Sequence, residues 1–300
     1  MIDVIIPVYN AFDRLEKLLH GLENQTIKDK LCITIIDDGN NIPIKRIIDK
    51  LHLSLNVNII RLPFNRGAAI ARMVGLKKTY HEYIIFLDAD DELINNKSLE
   101  EMYAIIDKNP NFNLIAAKEI RLGKCDFRPY HMVAKILRRS IIKKYNLAFP
   151  KYRLEEDTAF MMSYLTVIQN DSICYINKAI YKYNKNNPNS ITAKNVFLQN
   201  YDYKEFYKAV NYAYKIAKKN NEFHFLKENI LKIYISIIVR YYNALKNSSY
   251  NLKINDAFLN RTKRFYNKYK IFIDNFDIEN KLSKEEYALY VWFSELLKNK

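Results

Sequence analysis

Cysteine is scarce in this chain of 300 residues, which contains only Cys32, Cys125 and Cys174. The three are far apart and form no C-x-x-C pair, so the sequence predicts neither a disulfide framework nor a thiolate metal site. Cys32 and Cys174 lie in apolar, strand-like runs, which favours buried free thiols in a reducing compartment. The five histidines show no H-E-x-x-H or similar spacing, and a structural zinc site is therefore not expected.

Long apolar runs are lacking as well. No window reaches 18 uncharged apolar residues, and the nearest candidate, 230–242, carries Lys232 and Arg240. The chain opens directly into a β-branched run instead of a basic segment followed by an apolar one. We therefore expect no transmembrane span and a cytoplasmic protein, with any membrane contact made at the inner face.

Positive charge is what the chain has in excess. It contains 48 Lys and Arg against 33 Asp and Glu, a formal net charge of +15. A field of this sign attracts phosphorylated ligands, nucleic acid or anionic lipid headgroups. Lys, Asn, Ile and Tyr are abundant throughout, however, so compositional drift is an equally good explanation.

Strand and helix signals alternate over the first hundred residues. Apolar strands are predicted at 2–8, 31–36, 57–60 and 83–87, and amphipathic helices at 15–22, 42–51 and 67–80. This alternation indicates an α/β fold with a mostly parallel sheet covered by helices on both faces. In such sheets ligands bind beyond the carboxyl ends of the strands, and Asp38 and Asp88 each follow one of those ends.

The pattern changes further along the chain. Residues 113–192 predict a strand at 114–117, helices at 133–145 and 158–167, and a pair of short strands within 173–184. Beyond about residue 195 only helical spacing remains, as in the apolar stripe formed by Leu226, Ile230, Ile233, Ile237 and Tyr241. We predict one domain over 1–194 and a basic helical region over 195–300.

The acidic segment Asp88-Ala89-Asp90-Asp91 directly follows a predicted buried strand. Three carboxylates in four residues repel one another unless a cation binds them. Mg²⁺ and Mn²⁺ prefer carboxylate oxygens and bridge them to substrate phosphates. The alternative is a solvated turn that caps the next helix; the position after a buried strand favours the metal.

Three further segments could bind a nucleotide. Asp38, within Asp37-Asp38-Gly39, can accept hydrogen bonds from a base or a ribose, and Tyr9, within Pro7-Val8-Tyr9-Asn10, can stack on a base. Asn65-Arg66-Gly67 with Arg72 opens a helix N-terminus, which favours anions. Each segment alone is equally compatible with an ordinary turn or a capped helix.

A last acidic segment, Glu155-Glu156-Asp157, precedes the apolar helix predicted at 158–167. Its carboxylates could simply complement the helix dipole. The alternative is a general base that is held at the start of the helix and faces a reaction centre.

Taken in order, these segments resemble the family 2 glycosyltransferases over residues 1 to about 192. The matching motifs are Val4-Ile5-Ile6-Pro7-Val8-Tyr9-Asn10, Gln25-Thr26, Ile36-Asp37-Asp38-Gly39, Asn65-Arg66-Gly67 with Ala71-Arg72 and Gly75, Phe86-Leu87-Asp88-Ala89-Asp90-Asp91, Lys135-Ile136-Leu137-Arg138-Arg139, Phe149-Pro150 and Glu156-Asp157. The resemblance implies a GT-A (Rossmann-like) domain followed by a helical appendage. It also implies inverting transfer of a sugar from a nucleoside-diphosphate sugar, UDP-linked by family tendency.

The resemblance implies a role for each matching residue. Donor-binding residues would be Pro7, Tyr9, Asn10, Asp38, Arg72, Asp88 and Ala89. Asp90, with Asp88, would hold the Mn²⁺ or Mg²⁺ that bridges the diphosphate. Asp157 would be the catalytic base that deprotonates the acceptor hydroxyl.

The chain departs from the family pattern in two places. Val133-Ala134 stands where many members have a Trp, and Tyr183-Asn184-Lys185 stands where many have Tyr-Arg before the Ser190-Ile191-Thr192 loop. The expected arginine is therefore absent, and Lys185 would supply the cation to the diphosphate as a point charge, without the planar fork of arginine.

The helical region counts 19 Lys and Arg against 11 Asp and Glu, a difference of +8. Its basic, aromatic-rich helices could lie on an anionic membrane, which would suit a lipid-linked acceptor in bacterial surface-polysaccharide synthesis. They could equally form an acceptor-contacting or homo-oligomerising bundle whose aromatic rings fill its core. Nucleic-acid binding is disfavoured by the acidic strand ends. A nucleotidylyltransferase is disfavoured because no Gly-rich basic loop follows the first strand.

Overall fold

The computed structural model describes residues 1–184, 204–247, 256–275 and 277–298. The chain divides into two compact units, Met1–Asn195 and Val196–Lys300. The strands are β1 (Ile2–Val8), β2 (Leu31–Asp37), β3 (Val57–Arg61), β4 (Tyr83–Phe86), β5 (Glu92–Leu93), β6 (Leu114–Arg121), β7 (Lys124–Asp126), β8 (Lys135–Arg138) and β9 (Ile173–Lys182). The helices of the first unit are α1 (Phe12–Glu23), α2 (Ile44–Ile48), α3 (Ala68–Lys78), α4 (Ser98–Lys108), α5 (Arg139–Lys144) and α6 (Glu156–Val167).

The strands of the first unit form one mixed sheet in the order β3-β2-β1-β4-β8-β6-β9-β5, with β7 paired to β6. β3, β2, β1 and β4 are parallel to one another, and β8 runs antiparallel between β4 and β6. β1 is almost fully buried because helices cover both of its faces, which confirms the interpretation of the continuous apolar runs. On one face α1 buries Leu15, Leu18, Leu19 and Leu22, as its spacing predicts.

Parallel pairing places the ends of three strands at one edge of the sheet. Val8 pairs with Asp37, and Ile5 pairs with Phe86, so the chain leaves β1, β2 and β4 close together. The Asp38 N–H donates to the Val8 carbonyl at 3.0 Å just beyond the ladder. The loops that follow Val8, Asp37 and Phe86 therefore border a common site.

The prediction of a helix at 133–145 is wrong for the first half of that range. Residues Lys135–Arg138 form β8, whose Ile136 and Leu137 are inserted between β4 and β6. A short apolar run fits a buried strand and a buried helix equally well, so periodicity could not separate them. Ala134, with φ 57°, adopts a left-handed backbone that interrupts any helix there.

The pair of strands predicted within 173–184 is one strand, β9. Its register against β6 shifts after Ala117, which pairs with Ile176, whereas Lys118 pairs with Ala179. A β-bulge therefore accommodates the polar residues that had suggested a break between two strands.

The second unit is helical in the part that the structure describes. Its helices are α7 (Lys204–Asn220), α8 (His224–Asn247), α9 (Asp256–Ile273), α10 (Ile278–Lys281) and α11 (Lys284–Lys298). Aromatic side chains fill its interior, where the buried ring of Tyr234 packs against the buried rings of Phe265 and Phe293. No described helix combines the length and the hydropathy that a membrane crossing requires. A membrane, acceptor or subunit contact of this unit stays a prediction.

Gly39 makes possible the close approach of the loop that follows β3. Its φ is +70°, and a Cβ at this position would lie 2.3 Å from the Phe64 carbonyl carbon. We expect Gly39→Ala to lower the free energy of unfolding by at least about 2 kcal/mol, because backbone strain and a backbone clash add. Urea denaturation measures the change.

The matched control is Gly123→Ala. Gly123 also has a positive φ, +76°, but a Cβ there meets nothing within 4 Å. The free energy of unfolding of Gly123→Ala should therefore fall by about 1–2 kcal/mol, the cost of the left-handed backbone alone. Equal losses in the two variants would contradict a packing role for Gly39.

Candidate functional site

Asn40 joins the loops after β1 and β2. Its side-chain Nδ2 donates to the Val8 carbonyl at 2.9 Å, and its Oδ1 accepts the Asn10 N–H at 2.8 Å. This bond holds Asn10 in a left-handed conformation with φ 53°, which asparagine tolerates well. The Tyr9 ring, 49% exposed, is thereby presented at the sheet edge. Sequence reasoning missed Asn40, although it directly follows the Asp-Asp-Gly motif.

Asp38 fixes the loop that leads into α3. Its carboxylate accepts the Arg66 N–H at 2.8 Å and the Gly67 N–H at 2.9 Å. Burial raises the pKa of Asp38, and these two N–H groups oppose that rise. Asp38 thus lies at the edge where the sequence predicts it, with both carboxylate oxygens engaged by backbone. The neighbouring Asp37 is buried and pairs with Arg61 at 2.8 Å.

The Asp88–Asp91 turn carries three carboxylates with different surroundings. Ala89 is buried in the core, so only its backbone borders the site. The Tyr181 hydroxyl donates to Asp91 Oδ2 at 2.7 Å and accepts the Asp88 N–H at 3.1 Å, which anchors the turn to β9. Asp91 is 2% exposed, whereas Asp88 and Asp90 are half-buried.

Burial raises the pKa of Asp91 to about 8, and the charges of Asp88 and Asp90 add to the rise. The N–H of Asn184 and the Tyr181 hydroxyl oppose it. The turn therefore concentrates negative charge that a cation would relieve. Its donor atoms are carboxylate oxygens, the ligands that Mg²⁺ and Mn²⁺ prefer. Asp88 and Asp90 fit a divalent ion on these grounds.

Another group of metal-ligating side chains lies at the opposite end of the sheet. Ligand atoms of Asp3, Cys32 and His81 are within 4.8 Å of one another, beside a cavity of about 430 Å³. Asp3 is engaged already, because it pairs with Arg139 at 2.7 Å and with His81 at 2.8 Å. These bonds connect the amino ends of the strands. The Asp88–Asp91 turn lies at the other edge of the sheet, beyond the carboxyl ends of β1 and β4.

Arg72 connects the carboxylate turn to α6. From α3, its guanidinium donates to Asp88 Oδ1 at 2.8 Å and to Glu156 Oε1 at 2.9 Å. Arg72 is 5% exposed, and its partner carboxylates raise its pKa against the lowering effect of burial. A buried, doubly paired arginine fixes the distance between its two partners. The structure thus brings together residues that the sequence could only place on separate elements.

Asp157 is the second residue of α6 and is half-buried. Its neighbour Glu156 is held by Arg72, and burial raises the pKa of Glu156 to about 7, with the Asp157 charge adding to the rise and Arg72 opposing it. Asp157 itself is near enough to Arg72 to raise the pKa of that guanidinium. The start of α6 and the carboxylate turn therefore face the same guanidinium. Lys185, the remaining predicted donor-binding residue, lies outside the described residues.

We expect Arg72→Lys to lower the free energy of unfolding by about 2 kcal/mol, because an ammonium cannot bind both carboxylates as the guanidinium fork does. Arg66→Lys is the matched control, since Arg66 is exposed and contributes its backbone N–H to Asp38. Chemical denaturation compares the two variants. Equal stability of Arg72→Lys and the wild type would contradict a stabilising role for the pairing of Arg72 with Asp88 and Glu156.

Comparison with known proteins shows the family and the fold of the chain. The family model described as Glycosyl transferase family 2 matches residues 3–168, more than half of the chain. Among curated relatives, poly(ribitol-phosphate) beta-N-acetylglucosaminyltransferase TarP of Staphylococcus aureus is 29% identical over 207 residues, which cover 61% of this chain and 61% of the relative. The chain spans between 31% and 77% of the length of the first curated relatives that it matches.

Solved structures show the same fold. Residues 1–349 of S. aureus TarS in complex with UDP-GlcNAc align with a TM-score of 0.60 and 19% identity, over 97% of this chain and 79% of that chain. A mannosyltransferase from Pyrobaculum calidifontis in complex with GDP-Man and Mn²⁺ aligns with a TM-score of 0.52 and 12% identity, over 98% of this chain and 79% of that chain.

These matches confirm the GT-A glycosyltransferase fold, a mixed, mostly parallel sheet with flanking helices and a C-terminal helical region. They also confirm the resemblance carried by the strand-end motifs. The chain belongs to glycosyl transferase family 2.

Proposed function

We propose that the chain transfers a sugar from a nucleoside-diphosphate sugar, preferentially UDP-linked, to a hydroxyl of a glycan or lipid-linked glycan, with inversion at the anomeric carbon. The observation that carries this proposal is the pairing of Arg72 with both Asp88 and Glu156. This pairing holds Asp88, which is suited to a divalent ion that neutralises the donor diphosphate, next to the helix start that bears Asp157. The TarS structure in complex with UDP-GlcNAc supports a UDP-linked donor. The names of TarP and TarS, poly(ribitol-phosphate) beta-N-acetylglucosaminyltransferases, support a polymeric acceptor.

The nucleoside would lie against the ends of β1 and β2. Tyr9 would stack on the base, and Pro7 and Asn10 would border it through a backbone that Asn40 fixes. Asp38 would contribute directly and through the Arg66 and Gly67 N–H groups that it positions. Lys185 remains the predicted cation for the diphosphate.

Asp90 and Asp88 would hold Mn²⁺ or Mg²⁺, with the Ala89 backbone between them. When bound, the ion neutralises the leaving diphosphate as a Lewis acid. Arg72 would act through Asp88, because its guanidinium is buried and engaged by two carboxylates. The donor-binding role predicted for Arg72 would then be indirect.

Asp157 would take the proton of the acceptor hydroxyl. The acceptor oxygen forms a bond to the anomeric carbon as the bond to the diphosphate oxygen breaks, so one displacement inverts the configuration. A positioned base of this kind contributes roughly 10²–10⁴-fold to the rate. A retaining reaction would need a different arrangement of groups.

A panel of nucleoside-diphosphate sugars, assayed with Mn²⁺, Mg²⁺ or EDTA, tests the function. We expect a UDP-sugar to be turned over in the presence of a divalent ion and not with EDTA, as measured by release of the nucleoside diphosphate. Proton NMR of the product gives the anomeric configuration. Activity that survives EDTA would contradict the metal assignment, and turnover of no nucleotide-sugar would contradict the function.

Asp157→Asn should keep donor binding, measured by calorimetry, and lose transfer by at least about 100-fold, because an amide cannot accept the proton. Asp171→Asn, a change at an exposed acid in the turn after α6, is the matched control. Unchanged turnover in Asp157→Asn would remove this residue as the base.

A further inference from the structure

Three side chains with metal-binding atoms meet at the amino ends of the strands. Asp3 on β1 pairs in register with Cys32 on β2, and paired residues of neighbouring strands point to the same face of a sheet. His81 lies just before β4 and donates its backbone N–H to Asp3 Oδ2 at 2.8 Å. One ligand atom of each residue lies within 4.8 Å of the other two. The fold therefore brings together an oxygen, a sulfur and a nitrogen donor.

The carboxylate of Asp3 is already oriented by its neighbours. Asp3 is 1% exposed, and its Oδ2 accepts a hydrogen bond from Arg139 Nη2 at 2.7 Å as well as the His81 N–H. Its Oδ1 lies 2.8 Å from His81 Nδ1. Carboxylates that bind metals are themselves held by hydrogen bonds of this kind. Oδ1 is thus the oxygen that would bind an ion, in place of its hydrogen bond to the imidazole.

A cavity of about 430 Å³ gives an ion a path to this cluster. Asp3 and Cys32 line it, as do Thr79 and Tyr80, the two residues before His81. The His81 side chain is 19% exposed, and Cys32 is a half-buried free thiol. An ion and a water molecule can therefore reach the three donor atoms without unfolding of the sheet.

The combination of donor atoms selects the kind of metal. Zn²⁺ binds thiolate sulfur, imidazole nitrogen and carboxylate oxygen, whereas Mg²⁺ and Mn²⁺ prefer oxygen ligands. Bonds of about 2.0–2.3 Å around a tetrahedral Zn²⁺ place its ligands roughly 3.3–3.6 Å apart, so small side-chain movements suffice here. Three protein ligands leave a fourth position for water.

We propose that Asp3, Cys32 and His81 bind one Zn²⁺ ion. Cys32 binds as the thiolate, so its proton is released to solvent as the Zn–S bond forms, and no electron is transferred. The ion connects β1, β2 and the segment before β4, and Arg139 extends that connection to α5 through Asp3. No local spacing indicates this site, because Asp3 and His81 are 78 residues apart. It does not depend on the proposed transfer reaction.

Co²⁺, a spectroscopic substitute for Zn²⁺, tests the proposal on the full chain after EDTA treatment and under reducing conditions. The measurement is made in an Asp90→Ala background, so that the carboxylate turn contributes little. We expect one bound Co²⁺ ion per chain with a near-ultraviolet charge-transfer band from thiolate to metal. Zn²⁺ should displace this ion because it binds such sites more tightly, and excess Mg²⁺ should not.

Cys32→Ser should remove the band and weaken Zn²⁺ binding, measured by calorimetry, at least about tenfold. Cys174→Ser is the matched control and should keep both, since Cys174 is also a half-buried free thiol on a strand, β9. If Cys32→Ser does not fold, as judged by circular dichroism, Cys32→Ala decides with the same expected loss. Co²⁺ binding without the band, a band that persists in the Cys32 variant, or displacement by Mg²⁺ overturns the proposal.

His81→Gln should likewise weaken Zn²⁺ binding at least about tenfold. His20→Gln is its control, because His20 is exposed on α1 and bonds to Glu23. An unchanged affinity in His81→Gln overturns the three-residue site.

Discussion

The ion pairs of Arg72 are the interaction on which the candidate site depends. A buried guanidinium requires opposite charge, and Arg72 obtains it from Asp88, 16 residues away in sequence, and from Glu156, 84 residues away. Asp88 follows the end of β4, and Glu156 is the first residue of α6. A single side chain therefore sets the separation between the carboxylate turn, which we propose as the metal site, and the helix start that bears the proposed base Asp157.

Charge accumulates at this edge with a sign opposite to that of the whole chain. The net charge is +15, yet the turn at Asp88–Asp91 and the start of α6 collect five acidic side chains, Asp88, Asp90, Asp91, Glu156 and Asp157. Burial and mutual repulsion raise the pKa of Asp91 and of Glu156. Arg72 offsets part of this charge from within the protein, and a divalent ion would offset a further part. Such an ion would let the edge receive a diphosphate instead of repelling it.

Much of this arrangement follows from the sequence. A buried parallel strand needs a continuous apolar run, which neighbouring residues alone reveal. The sequence therefore predicts the strands that end before Tyr9, Asp38 and Asp88. The helix predicted at 133–145 was wrong because Ile136 and Leu137 satisfy the burial requirement of either element. Only the space between β4 and β6, which distant segments create, selects a strand there.

The partners of the site residues could not be predicted, since they come from separate elements. The sequence indicates that Asp38 is a ligand-binding carboxylate. In the structure it accepts the Arg66 and Gly67 N–H groups, and these bonds depend on how closely Gly39 lets the loop after β3 approach. Lys135 is one basic residue of a motif in the sequence, and its burial, with Nζ donating to the Arg128 and Val133 carbonyls, appears only in the folded sheet. In the second unit, spacing predicted the helices, and packing assigns Tyr234 and Phe293 to an interior.

We propose that Asp88 and Asp90 form a divalent-metal site that works with a nucleotide. Mn²⁺ binding, followed by the electron paramagnetic resonance signal of the free ion in the presence of UDP, tests it most directly. We expect about one bound ion per wild-type chain, an affinity at least about tenfold weaker in Asp90→Ala, and an unchanged affinity in Asp171→Ala. Equal Mn²⁺ binding by the wild type and Asp90→Ala would contradict it.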